Sequence, residues 1–192
     1  MKDKVLEKDS ILSCDETWCK VRRYNKYLKK YMWVLENKLE KIVIFFYDEG
    51  SRGRKVLTDF WGESEVKAIM TDGYNAYNFL DGTLSVDHLL CMAYALNYFD
   101  HFKEGLFMCR KDGRYPIDNN LAERQVRPFT ALRKAIQHDG SDAGAEMSAV
   151  YLNIVSTVKL AGQSVWRFLG DFFEDMVTGG KKHLSLLSLS TT

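Results

Sequence analysis

The sequence predicts an α/β fold: a mixed sheet of about five strands, the first three antiparallel, flanked by helices and followed by a helical C-terminal part. Three observations carry this. Residues 11–47 hold three closely spaced runs of strand-compatible residues joined by short polar turns, the pattern of an antiparallel meander. Two later apolar runs, at 66–70 and 84–89, are separated by a short helical stretch. Beyond residue 119 the apolar spacing becomes helical.

The elements follow in order. Residues 1–10 form a short polar lead-in, mostly charged and unlike a signal peptide. The first strand spans 11–23, with Trp18, Cys19 and Val21 as strand formers. Lys20, Arg22, Arg23, Lys26, Lys29 and Lys30 follow, interleaved with Tyr24, Tyr27 and Tyr31 and with no acid among them. That mixture suits a phosphate backbone, and it equally suits a solvated hairpin loop. Residues 31–36 give a second strand and 42–47 a third, nearly continuous apolar one. The loop Ser51-Arg52-Gly53-Arg54 leads into a helix over 55–61, where Arg52 is either a DNA contact or a surface arginine. The fourth strand, 66–70, runs into Asp72 and a glycine turn, and 75–80 reads as a short helix. A fifth strand takes 84–89. The helix after Asp118 continues past Pro128 to 138 with Arg133 and Lys134 exposed. A long amphipathic helix covers 143–160 with Val150, Ile154, Val155 and Val158 inward, and Gly162 ends it. A last helix spans 165–177, and 179–192 is a flexible Ser/Leu-rich tail. Residues 1–178 are read as one domain.

Composition narrows the function. With 46% apolar residues the chain buries a real core, and a net charge of +1 gives no global basic field, so nucleic-acid binding has to come from local patches. The four cysteines form no Cys-x-x-Cys pair, consistent with reduced thiols in the cytosol. No apolar run reaches the roughly 18 residues of a membrane span. His88 and Cys91 lack the further ligands that a zinc site needs.

Three acids stand out. Asp15 lies on the first strand, Asp72 at the carboxyl end of the fourth, and Glu123 in the first turn of the helix that opens at Asp118-Asn119-Asn120. Taken alone, Asn120 and Glu123 resemble a capping box, with Glu123 pairing to a neighbouring arginine. Taken together, the three carboxylates are the oxygen-only set that hard divalent cations prefer. Two such cations steady the attacking and leaving oxygens of phosphoryl transfer. Arg124 and Arg127 stand ready to hold phosphate. Glu16, next to Asp15 on a strand, points to the opposite face and is expected outside the site.

The chain resembles the DDE transposases of bacterial insertion sequences, specifically the insertion-sequence-sixty-six family. The resemblance rests on Asp15-Glu16-Thr17-Trp18, Tyr31-Met32-Trp33-Val34, Ser51-Arg52-Gly53-Arg54, Thr71-Asp72-Gly73-Tyr74-Asn75-Ala76-Tyr77 and, most specifically, the block from Asp112 through Glu123-Arg124 to Arg127-Pro128. It covers roughly residues 10–175. It implies a ribonuclease-H-like topology, with Asp15, Asp72 and Glu123 as the catalytic and metal-binding triad. Two Mg²⁺ (or Mn²⁺) ions are implied as cofactors, and DNA, both transposon ends and target, as the partner. Arg22, Arg23, Lys26, Arg52, Arg124 and Arg127 are candidate DNA contacts. The resemblance also implies a homo-oligomer when active and a bacterial, nucleoid-associated location. The implied activity is strand cleavage and strand transfer; the alternatives are a truncated, non-catalytic DNA-binding remnant or another ribonuclease-H-like nuclease. The chain departs from the family pattern in two places. The resemblance implies a long N-terminal DNA- and zinc-binding region, which has no counterpart among residues 1–192. The chain also passes almost directly from Cys91 to Asp112, where the family inserts a helical segment, with residues 93–99 resembling the helix that precedes the Asp112 block.

Overall fold

The computed structural model describes residues 1–83, 86–94, 105, 107–136 and 138–179. A short helix α1 (Lys2–Val5) precedes β1 (Ile11–Arg23), β2 (Lys26–Asn37) and β3 (Ile42–Phe46). Then come α2 (Arg54–Trp61), β4 (Ala68–Thr71), α3 (Leu80–Thr83) and β5 (Asp87–Leu90). Three helices complete the described chain: α4 (Asn120–Ile136), α5 (Asp142–Leu160) and α6 (Val165–Val177). One five-stranded sheet has the order β3-β2-β1-β4-β5. The first three strands pair antiparallel, while β4 joins β1, and β5 joins β4, in parallel.

Strand alternation divides the core in two. Leu12 and Cys14 of β1 pack with Trp33, Leu35 and the α2 residues Val56, Leu57 and Trp61 on one face. Cys19 and Val21 pack with Met32, Val34, Ala122, Phe129 and Ala145 under α4 and α5 on the other. Trp33 anchors the first face, fully buried, its indole N–H donating to the Ser51 carbonyl at 3.0 Å.

Four expectations need correcting. The second strand begins at Lys26, not at 31, because β1 and β2 pair residue by residue out to Arg23↔Lys26. The basic stretch is therefore a two-stranded ribbon, turned at Tyr24 with a positive φ of 52°. It projects beyond the partners of the inner strands, since β4 pairs β1 only through Ser13 and β3 pairs β2 only from Trp33. Second, the predicted helix at 75–80 is a 3₁₀ turn, Asn75–Tyr77, followed by α3. Third, α5 buries Val158 as expected, but its other buried residues are Ala145, Ala149, Leu152, Ser156 and Thr157, while Val150 is 56% exposed. The small side chains let α5 lie close on β3, where the Thr157 hydroxyl accepts from the Val43 N–H and donates to the Val43 carbonyl, each at 3.0 Å. Asn153 Oδ1 accepts from the Phe45 N–H in the same way. Fourth, Arg133 is not a free surface cation: its guanidinium lies 3.9 Å from the Trp18 ring centroid and bonds the Trp18 carbonyl.

The predicted start of the fifth strand at 84–85, most of the segment 93–99 and the tail beyond Gly179 lie outside the described residues. Among the described residues no helix is long and apolar enough to cross a membrane.

Candidate active site

Asp15 sits in the middle of the sheet on β1, on the face covered by α4. Its neighbours set its chemistry. Burial raises its pKa first, the charge of Glu16 second, and the charges of Asp72 and Glu123 add to both. The Glu16 N–H, donating to Asp15 Oδ1 at 2.8 Å, pulls the other way. The result is a carboxyl pushed up to about 7 from an ordinary value near 3.8. Asp15 is thus within electrostatic reach of both Asp72 and Glu123, although the three are far apart along the chain.

Asp72 follows β4 directly, where its Oδ1 accepts from the Tyr74 N–H at 2.9 Å and Gly73 takes a φ of 84° that favours glycine. The turn is held from behind. The Gly73 N–H donates to Thr71 Oγ1 at 3.2 Å, Thr71 Oγ1 lies 2.8 Å from His88 Nε2, and His88 Nδ1 lies 2.6 Å from Asp81 Oδ1. The Asp81 carboxylate only accepts, so His88 donates its Nδ1–H to it, and the Nε2 of the neutral ring accepts from the Thr71 hydroxyl. His88 thus braces the Asp72 turn. Thr71→Val is expected to lower stability by about 1–3 kcal/mol, since it orphans a buried N–H and an imidazole nitrogen. Thr71→Ser should lie within about 1 kcal/mol of wild type, having lost one methyl. Denaturant unfolding of both variants checks this, and a Thr71→Val protein as stable as wild type contradicts it.

Glu123 enters from α4. The predicted capping box is not what holds the helix start. Asp118 Oδ1 accepts from the Asn120 N–H at 3.0 Å, and the Glu123 N–H bonds the Asn119 carbonyl at 3.1 Å. Asn119 is wholly buried and turns inward: its Nδ2 donates to the Cys14 carbonyl at 2.9 Å, and its N–H to Cys91 Sγ at 3.1 Å. That ties the first turn of α4 to β1 one residue before Asp15. Among the described residues the Glu123 carboxylate has no hydrogen-bond or ion-pair partner. The local expectation of a Glu123–arginine pair is thereby overturned, and Arg124 and Arg127 are both exposed beside it.

Glu16 does point to the opposite face, as strand alternation requires. Its oxygens accept from Arg52 Nε and from the Tyr77 hydroxyl, both at 2.8 Å. Arg52 also lies 3.8 Å from the Tyr74 ring centroid, so its guanidinium serves Glu16 and the wall behind Asp72. Of the other candidate contacts, Arg22, Arg23 and Lys26 are exposed on the ribbon, Arg23 pairing with Asp142 at 2.9 Å. Sequence reasoning missed Asn119, Thr71, His88 and Cys91 as positioning groups. Local sequence holds no signal for them, because their partners lie 17, 28 and 105 residues away.

The Asp112-Gly113-Arg114-Tyr115 block is a brace. Asp112 binds Arg114 and Lys67, which hold its carboxyl well below the usual range, and Tyr115 bonds Asp87 on β5.

The donor set at residues 15, 72 and 123 is all oxygen, and Asp15 is repelled by the other two, the chemistry that a hard divalent cation relieves. Among the described residues, no three His, Cys, Asp or Glu side chains already close on one point as ligands would. The fit rests on donor type and electrostatic reach.

A family model described as Transposase IS66 family matches residues 1–102 and 92–147. The chain belongs to this family. Two curated relatives, both uncharacterized proteins of Sinorhizobium fredii (strain NBRC 101917 / NGR234), are similar over shorter stretches. The protein y4jD is 30% identical over 88 residues, 46% of this chain and 17% of that protein. The protein y4qI is 36% identical over 70 residues, 36% of this chain and 13% of that protein. This transposase-family chain thus aligns with less than a fifth of either relative's length.

Proposed function

We propose that this chain is the catalytic domain of a DDE transposase that cuts DNA strands and joins them to a target with the help of divalent metal ions. What supports the reading is the family match, together with a largely buried Asp15 on the central strand that, beside burial and Glu16, feels the charges of Asp72 and Glu123. Strand order 3-2-1-4-5, with the first three strands antiparallel, supports a ribonuclease-H-like assignment. Asp15, Asp72 and Glu123 would hold two Mg²⁺ or Mn²⁺ ions, which when bound supply charge stabilisation at both the attacking and leaving oxygens. The chain's own part is to aim the carboxylates: Asn119 fixes α4 against β1, and the Thr71–His88–Asp81 chain fixes the turn carrying Asp72. Arg124 and Arg127, exposed on α4, steady phosphate oxygens by charge-assisted bonds. The ribbon offers Arg22, Arg23 and Lys26 to the backbone, with Tyr24 94% exposed at its tip as a stacking surface. In the reaction, water attacks the scissile phosphodiester and the 3′ oxygen leaves as a hydroxyl. That hydroxyl then attacks a target phosphodiester, displacing its 3′ oxygen. A homo-oligomer holding two ends fits this chemistry.

A second reading, a DNA-binding remnant without catalysis, is favoured by the family match falling in two segments that overlap at residues 92–102. Incubating the purified protein with an end-labelled duplex across a Mg²⁺ or Mn²⁺ titration separates the readings. Metal-dependent nicking lost in Asp72→Asn, with labelled 3′ ends joined to target, is the expected result. Nicking without joining points to a simple nuclease, and binding without cleavage to the remnant.

A further inference from the structure

Glu36 is a buried acid that the catalytic reading does not use. It sits on β2 opposite Ser13, on the sheet face covered by α4, and is 1% exposed. Among the described residues neither of its carboxylate oxygens has a well-placed hydrogen-bond partner. Burial pushes its pKa above the usual carboxylate range, while the Gln125 side chain, close enough for a weak hydrogen bond, and the charges of Lys38 and Arg124 pull it back. A buried carboxylate left without well-formed hydrogen bonds is costly, and native proteins rarely keep one without a use.

The acid lines a cavity of about 140 Å³. Ile11, Leu39, Pro116 and Leu121 supply its apolar walls, and the exposed Lys38 and Arg114 also line it. That volume is close to the roughly 150 Å³ that takes a single six-membered ring. Three features define the occupant. It has flat apolar faces, it brings N–H donors to the carboxylate, and it carries negative charge at the end that meets Lys38. A free cation answers only the second and is repelled by the basic mouth. A metal ion finds one carboxylate and no companion ligand.

We propose that this cavity receives one unstacked, amino-bearing pyrimidine, a cytosine, with Glu36 accepting from its exocyclic amino group and Lys38 meeting its phosphate. Carboxylates accept from this amino group in base recognition generally. The placement suits a strand lying at the carboxylates. Ser13 is two residues before Asp15 on the same strand face, about 7 Å along β1. The cost of unstacking a base, a few kcal/mol, is lowest where the strand is already open. This inference rests on the reading of the chain as a protein that acts on DNA.

Fluorescence anisotropy with labelled dC8, dT8 and a duplex of mixed sequence tests it on the full chain. The wild-type protein should bind dC8 at least about tenfold more tightly than dT8, and Glu36→Leu should bring the two together. Glu36→Gln, which keeps the shape, should narrow the gap and serves if the leucine variant does not fold. Duplex binding with equal affinity for dC8 and dT8, or a preference that survives Glu36→Leu, overturns the pocket and leaves the DNA reading intact. Failure to bind any of the three overturns both.

Discussion

Asp15→Asn raises the metal-free stability of the protein at about pH 8 and abolishes its stabilisation by divalent ions. The two effects have one cause. In the folded protein the Asp15 carboxyl titrates at about 7, against an ordinary value near 3.8, so the native state holds its proton more tightly than the unfolded chain does. Stability from this group is fully present below about pH 4 and is lost as pH rises to about 7. Three units correspond to roughly 4 kcal/mol, and relaxation around a partly buried group leaves on the order of 2–3 kcal/mol of it. Asparagine removes the charge and with it this slope. Part of the slope remains in the variant, because burial raises the pKa of Glu16 and Glu36 in the same direction. Adding Mn²⁺ to the wild type should offset the repulsion, by about 2.7 kcal/mol at a hundredfold excess over the dissociation constant. In Asp15→Asn the same addition should do little. Thermal melts from acid to mildly alkaline pH, with and without Mn²⁺, read both effects. Parallel curves for the two proteins would mean that burial and the neighbouring charges do not raise the Asp15 carboxyl.

The second large effect is that of Asn119→Ala. Among the described residues Asn119 is the side chain that clamps the start of α4 to the strand carrying Asp15, and its orientation is set because the Cys14 carbonyl can only accept. Truncation leaves that carbonyl without its donor and opens a cavity between β1 and α4. The expected loss is about 2–4 kcal/mol, a large share of the 5–15 kcal/mol typical of a domain. Cleavage should fall by on the order of a hundredfold, the scale of a roughly 1 Å misplacement of a catalytic group. Asn120→Ala, one residue on and exposed, should stay within about 0.5 kcal/mol of wild type. Comparable behaviour of the two variants in denaturant unfolding and nicking assays would show that Asn119 is an ordinary helix-start residue.

Much of the fold was legible because local pattern and tertiary structure agree. The first strand spans Ile11–Arg23 as its residue types indicate, and the order of strands and helices follows the alternation of apolar periods. The errors have physical reasons. Residues 26–30 are polar and exposed and would not form a strand alone, but pairing with β1 imposes one. In α5 apolar residues lie along more than one row, and the row that packs inward is the small one, because β3 needs a close approach and side-chain acceptors. At the site, the three acids could be picked from their positions at strand and helix ends. Their supports could not, since Asn119 reaches Cys14 across 105 residues, Cys91 across 28, and Thr71 reaches His88 across 17.

The way α5 lies on β3 also constrains how molecules of this protein can associate. With the Val43 and Phe45 amides already taken by Thr157 and Asn153, a neighbouring chain finds no open row of donors to extend the sheet there. Contacts between copies must come from side-chain surfaces on that flank. Removing the helix would turn the same border into a template for strand addition, the usual route to aggregation.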